Sequence, residues 1–477
     1  VREEVGRDFC VGLRITGDEF HPDGLNHDDM KEIAAYYNAT GEIDYFGVVG
    51  SGCDTHNTLA NVIPNMSYPP EPFLHLAAGI KEVVDVPVIH AQNIKDPNQA
   101  KRIIEAGYVD FVGMTRAHIA DPHLIAKIKM DQVDQIRQCV GANYCIDRQY
   151  QGLDVLCIQN AATSREYMGI PHIIEKTTGN VRKVVVVGGG PGGLESARVA
   201  AERGHNVTLI EKAEELGGQI TLASKAPQRD QIAGITRWLV MELERLGVDI
   251  RLGTAADAEL VRELKPDVCV IATGGRPFID QNPEWGAEKG LVVSSWDILS
   301  GKVEPGKNVL IYDTICEFSG MSAADYLASK GSLVELVTDD IKPGVGIGGT
   351  TFPTYYRSLY EKEVIMTSDF LLEKVYREGD SLVAVLENEY TGQREERVVD
   401  QVVVENGTRP NEELYYALKE ESRNKGQIDN DALFDIKPQP VLEESGDGMI
   451  LWRLGDCVSQ RNTHAAMYDA LRLCKDL

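Results

Sequence analysis

The stretch QCVGANYCIDRQYQGLDVLC, residues 138–157, holds three cysteines, Cys139, Cys145 and Cys157, with Ala142 midway between the first two. Deprotonated sulfur is the ligand of soft metals and of iron–sulfur cores, so this loop is the first candidate for chemistry. Alanine has no atom to offer a metal. Three thiolates suit a 3Fe-4S cluster, or a 4Fe-4S cluster with another group on one iron, and the competing reading is three thiols with no metal.

A second candidate lies in KVVVVGGGPGGLESARVAAERGHNVTLIEK, residues 183–212. Four valines predict a buried strand, and Gly188, Gly190 and Gly193 form G-x-G-x-x-G ahead of a helix. The first glycine permits a tight turn, the second lets backbone approach a pyrophosphate, and the third lets helix and strand pack closely. A second strand, NVTLIE, ends on Glu211, well placed to accept from a ribose hydroxyl. Strand, turn, helix, strand and acid in one register predict a dinucleotide or ADP site.

These residues need elements to hold them. Residues 1–130 repeat a short apolar strand, a loop and an amphipathic helix, with strands expected in FCVGLRI (9–15), YFGVVGS (45–51), VPVIHAQ (86–92) and DFVGMTR (110–116). Strands apolar on both faces, alternating with helices, predict a parallel sheet, and four such units make half of an eight-stranded (β/α)8 barrel. Half a barrel leaves two open edges, so its first half is expected to be cleaved, cropped or carried on a separate chain. An open four-unit sheet is the alternative. Residues 131–180 read as cysteine loop and linker, 181–300 and 410–477 as the nucleotide-binding domain, and 301–409 as an inserted domain. The fold class is α/β throughout.

The 477-residue chain has a formal charge of -26, which argues against nucleic acid or an anionic membrane as partner. Nine scattered cysteines do not make a secreted disulfide framework, and a reducing, cytoplasmic setting is expected. No apolar run reaches the ~18 residues of a membrane span.

Two further segments, DVCVIATGGRP (267–277) and LWRLGDCVSQRNTHAAMYDALR (451–472), together with LGGQ (216–219), resemble the FAD domain of the glutathione- and thioredoxin-reductase class. The resemblance implies FAD, or ADP, with Gln219 and Asp456 among its contacts; the alternative role for Asp456 is a helix cap. In that class an inserted domain repeats the fold and binds NAD(P)H. Here its turn reads YDTICEFSG and keeps only Gly320 of the glycines. Asp313, Ile315 and Glu317 would fill the place of a pyrophosphate, and an acidic residue would repel it. Nicotinamide binding is not expected there.

The chain as a whole resembles the trimethylamine dehydrogenase and 2,4-dienoyl-CoA reductase family, in which an old-yellow-enzyme-type barrel, a cysteine loop and a reductase-like module occur together. CVGANYC followed by LCIQNAATSREY is most similar to its amine-demethylating branch, which acts on dimethylglycine, N-methylproline and related betaine-derived amino acids. The resemblance implies FMN at the ends of the barrel strands, with Arg116 on its phosphate, backbone N–H groups near Asn93 and Met114 beside it, and Arg14 along the isoalloxazine. It implies a cluster on Cys139, Cys145 and Cys157, although the family pattern has four thiolates and Ala142 replaces the second. It further implies oxidative N-demethylation with release of formaldehyde, an electron-transfer flavoprotein as acceptor, and a homo-oligomer. An NADPH-dependent enoyl or dienoyl reductase is the alternative, and the YDTICEFSG turn counts against it. A non-catalytic electron-transfer subunit is a third. Residues 50–70 contain no tryptophan, which argues against a bare trimethylamine cage and for a carboxylate-bearing substrate. His56, Asn57 and His90 are candidates to reach such a pocket, and the competing reading is loop or core polar groups already satisfied. The catalytic residues are expected in the absent half-barrel.

Overall fold

The computed structural model describes residues 1–477, and the chain separates into two compact units. The first comprises residues 1–153 together with 348–354, and the second comprises 154–347 and 355–477.

In the first unit, strands β1 (Gly12–Thr16), β2 (Tyr45–Val49), β3 (Val88–His90) and β4 (Phe111–Val112) form one parallel sheet in the order β1-β2-β3-β4. Helices α1 (His27–Thr40), α2 (Leu74–Lys81) and α3 (Pro97–Glu105) connect them. Local chemistry fixes the helix ends. Asn26 and Asp29 form a capping box at the start of α1, Gly41 closes it at φ 66°, and Asp96 caps α3 ahead of Pro97. Side chains alternate across a strand, so Ile15, Phe46, Val48 and Val88 face the helices and join Leu76, Ile80 and Ile103 in the core. The opposite face carries a row in register, Arg14, Gly47, Ile89 and Phe111. Phe111 is more than half exposed there, a poor environment for a phenyl ring unless other chain covers it. This matches the expected second half of a barrel.

The second unit contains two Rossmann-type sheets. The nucleotide-domain sheet runs in the order β19-β8-β5-β6-β7, from β5 (Lys183–Val187), β6 (Asn206–Ile210), β7 (Asp249–Arg251), β8 (Val268–Ile271) and β19 (Ile450–Arg453), all parallel. Its strands are apolar on both faces because helices cover both, and Val185, Ile210, Cys269, Ile271 and Leu451 form a dry core. The inserted sheet has the order β10-β17-β11-β12-β13, from β10 (Val292–Ser294), β11 (Asn308–Asp313), β12 (Leu333–Val337), β13 (Ile365–Thr367) and β17 (Gln401–Glu405). Strands β14 (Phe370–Glu378), β15 (Ser381–Asn388) and β16 (Arg394–Val399) add an antiparallel layer. The chain leaves and re-enters the nucleotide domain through paired strands β9 (Gly275–Pro277) and β18 (Thr408–Pro410).

The excursion therefore begins before the expected boundary at 301, because β10 pairs with β17 in the inserted sheet. Seven residues of that region, 348–354, also group with the first unit, which no sequence signal announced.

Candidate functional site

Three sets of residues carry the candidate chemistry. The first lies at the carboxyl ends of β3 and β4. Gln92 ties the end of β3 to that of β2: its Oε1 accepts from Gly50 N at 2.6 Å, and its Nε2 donates to the carbonyls of Gly50, Asn61 and Val62. Asn93 follows in the left-handed region at φ 57° and donates from Nδ2 to Pro69 O at 2.9 Å. Its Oδ1 is buried with no partner, and an orphaned buried acceptor marks a place built for a ligand or water. Arg116, in helix α4 (Thr115–Ala120), donates through Nη1 to Pro64 O at 2.7 Å and to Asn143 Oδ1. Both bonds use one nitrogen, so the rest of the guanidinium fork is available for an anion. These residues fit a flavin phosphate. Met114 packs its side chain against the core, so only its backbone can serve the site.

Arg14 lies on the uncovered sheet face, on the same side as Gly47. His90 lies on the other face. It is buried on the helix side with Nδ1 3.1 Å from Val48 O, and burial lowers its pKa and keeps the imidazole neutral. A pocket role for His90 is therefore not supported. His56 stacks edge-on against Phe352.

The second set is the cysteine loop. Cys139 is partly buried and its Sγ accepts from Gly141 N–H at 3.4 Å. Gly141 has φ 69°, and a Cβ there would lie 3.1 Å from Met66 N, so glycine is required. Cys145 is buried in helix α5 (Tyr144–Tyr150). Cys157 belongs to the second unit, where its carbonyl lies 2.6 Å from His464 Nδ1. Arg165 Nη1 is 3.0 Å from His464 Nε2, and because arginine can only donate, His464 carries its proton on Nδ1 and gives it to Cys157 O. The donor chemistry suits soft iron, and within neither unit do three His, Cys, Asp or Glu side chains form a metal-holding group. The structure brings Cys139 and Cys145 into one unit and leaves Cys157 in the other.

The third set is the glycine turn between β5 and helix α6 (Pro191–Glu202). Gly188 has φ 112°, and a Cβ there would meet Ala272 O at 2.2 Å; one on Gly193 would meet Gly188 O at 1.9 Å. At Gly190 nothing lies within 4 Å, which is the open approach a pyrophosphate needs. Glu211 accepts from Gly189 N at 2.5 Å and from Ala213 N at 2.8 Å, so it braces the turn. Asp456 accepts from Gln219 Nε2 at 2.7 Å, and burial raises its pKa. The turn fits a dinucleotide, and Gln219 and Asp456 are hydrogen-bonded to each other.

The matching turn of the inserted domain is closed. Asp313, fully buried at the end of β11, accepts from Ile315 N and Cys316 N at 3.0 Å each, which are the N–H groups a phosphate would use. Its Oδ2 stands 2.1 Å from where a Cβ of Gly320 would be, at the first turn of helix α7 (Phe318–Ser329). Burial, then the charge of Glu405, pushes Asp313 up to about 7, and burial pushes Glu405 up to about 6.

Comparison with known proteins agrees with a flavin-type domain followed by a reductase-like module. Residues 1–135 match the NADH:flavin oxidoreductase / NADH oxidase family, and residues 182–468 match the pyridine nucleotide-disulphide oxidoreductase family. An N,N-dimethylglycine/sarcosine dehydrogenase from Chromohalobacter salexigens is 76% identical over 100% of this chain and 70% of its own length. The chain belongs to the trimethylamine dehydrogenase family of flavoprotein oxidoreductases. A probable N-methylproline demethylase from Rhizobium meliloti is 43% identical, again over 100% of the chain and 70% of that protein. Among solved structures, 2-naphthoyl-CoA reductase superposes with a TM-score of 0.85 at 25% identity, covering 100% of the chain and 66% of that protein. The chain thus spans about two thirds of the length of its family relatives. No helix is long and apolar enough to cross a membrane.

Proposed function

We infer that the protein containing this chain oxidatively demethylates a small N-methylated amine or amino acid. The observation that carries the reading beyond family membership is Asp313. A carboxylate occupies the N–H groups that a nicotinamide dinucleotide would need, so the inserted domain offers no entry for NAD(P)H. Without NADPH at this turn, the flavin would be charged by the substrate, in the oxidising direction. Bound flavin would supply the hydride acceptor for the N-methyl carbon, after which hydrolysis releases formaldehyde and the demethylated amine.

The chain's own residues hold and orient. Arg116 and Asn93 would grip the FMN phosphate end, Arg14 would favour negative charge along the ring, and Gly188, Gly190, Gly193 and Asp456 would hold FAD or ADP. The thiols of Cys139, Cys145 and Cys157 would be the ligands of an iron–sulfur centre, which would supply one-electron transfer toward an electron-transfer flavoprotein. A dimethylglycine-like substrate is favoured by the similarity to the Chromohalobacter salexigens protein and by the absence of tryptophan in residues 50–70.

The test is a screen of dimethylglycine, sarcosine, N-methylproline and trimethylamine with an artificial electron acceptor, read as formaldehyde. Turnover of an amino acid is the expected result. Prompt bleaching of the flavin by NADPH, with no turnover of any methylated amine, would replace the reading with the enoyl reductase alternative.

A further inference from the structure

The inserted domain is not expected from its sequence to bind nicotinamide, yet its residues Gly348–Thr354 sit within the first unit. There they meet the cysteine loop. Asp147, buried two residues after Cys145, accepts from Thr350 N at 2.8 Å, from Thr350 Oγ1 at 2.8 Å and from Thr351 Oγ1 at 3.1 Å. Having given its proton to Asp147, the Thr350 hydroxyl accepts from Asn143 Nδ2 at 3.0 Å. Asn143 Nδ2 donates also to Ile63 O at 2.9 Å, and its Oδ1 accepts from Arg116. Asn65 secures the far end by donating to Thr350 O and Thr354 Oγ1. A Cβ on Gly348 would fall 2.1 Å from Asp147, so close seating depends on glycine.

The bonds form one polarised line, from the Asp147 carboxyl through Thr350 and the Asn143 amide to the Arg116 guanidinium. Each link fixes the direction of the next. With two acceptors, Ile63 O and Thr350 Oγ1, on its nitrogen, the Asn143 amide must turn its oxygen toward Arg116. Asn143 is buried and held at φ 55°, so it has little freedom to compensate.

We propose that Gly348–Thr354 is a strap that sets the anion grip of the first unit, with Thr350 as a positioning residue that orients Asn143 and through it Arg116. The proposal rests on the assignment of Arg116 to the flavin phosphate, and the experiment separates the two. Full-length protein is purified as Thr350→Val, Thr350→Ser and Arg116→Ala. Phosphorus NMR of the bound FMN and the rate of FMN loss on dilution are measured, with retention of the second nucleotide as internal control. Thr350→Val should shift the FMN phosphate resonance and speed FMN loss by up to about tenfold, the loss expected for one hydrogen bond. Thr350→Ser, which keeps the hydroxyl, should behave as the parent in both readouts.

An unaltered resonance and FMN loss in Thr350→Val, alongside depletion of FMN in Arg116→Ala, would overturn the strap and leave the flavin assignment standing. Equal damage in the Val and Ser variants, or parallel loss of both nucleotides, would overturn it in favour of plain destabilisation. Full FMN retention in Arg116→Ala would overturn the flavin assignment and the strap's role with it.

Discussion

Arg116 and Gly193 illustrate two ways in which a single position can matter. Arg116 contributes charge and donors at the ends of the barrel strands, while its stem stays half-buried. Replacing it with alanine should deplete FMN and leave FAD or ADP bound, as measured by flavin and adenine content of the purified protein. Gly193 contributes nothing but absence. A methyl there would press against the Gly188 carbonyl oxygen, which is backbone and cannot swing aside. Gly193→Ala should therefore cost about 1–3 kcal/mol of stability in denaturant titration, and the purified variant should retain less than one second nucleotide per chain. Both residues were readable from sequence, Gly193 from its motif and Arg116 from the resemblance. Asn143 and Asp147 were not, because their partners Ile63, Arg116 and Thr350 lie up to about two hundred positions away and local pattern carries no record of that.

At the scale of elements, β11 repeats β5 up to its last residue and then diverges. Apolar strand, turn, helix and strand were all legible in 307–340, and so was the decay of the glycines. That Asp313 itself satisfies the turn was not, since it depends on the angle at which the carboxyl meets Ile315 and Cys316. The substitution has a thermodynamic consequence. Asp313 and Glu405 hold protons in the folded state up to about pH 7 and about pH 6, whereas unfolded carboxyls release them near pH 4. Between those limits these two carboxyls bind more protons in the folded chain than in the unfolded one, so their contribution to stability falls as pH rises from about 4 to about 7 and levels off above. Asp313→Asn should flatten that fall, checked by melting temperature across the range. An unchanged slope would mean that Asp313 is ionised throughout. The boundary of the inserted domain was misjudged for a related reason, since β10 is three residues long and declares itself only by pairing with β17.

For the molecule as a whole, charge is the property that acts at a distance. A formal charge of -26 surrounds the chain with negative potential that salt screens within about 10 Å at 0.1 M. Small-molecule acceptors should respond by sign: reoxidation by anionic ferricyanide should quicken as salt is added, and reoxidation by a cationic ferricenium should slow. Stopped-flow rates over a range of ionic strength check this, and parallel responses would show that the electron exit lies in a locally neutral or positive patch.

The route of the chain bears on how this architecture can be rearranged. Phe278 N donates to Gly407 O at 2.9 Å beside the paired β9 and β18, so the excursion starts and ends at neighbouring points and invites excision with a short splice. Such a splice would mend the nucleotide domain cleanly and yet strip Gly348–Thr354 from Asn65, Asn143 and Asp147. The segment that looks most dispensable on a domain map is a shared fitting, and a lineage that discarded it would first have had to furnish Asp147 with new donors.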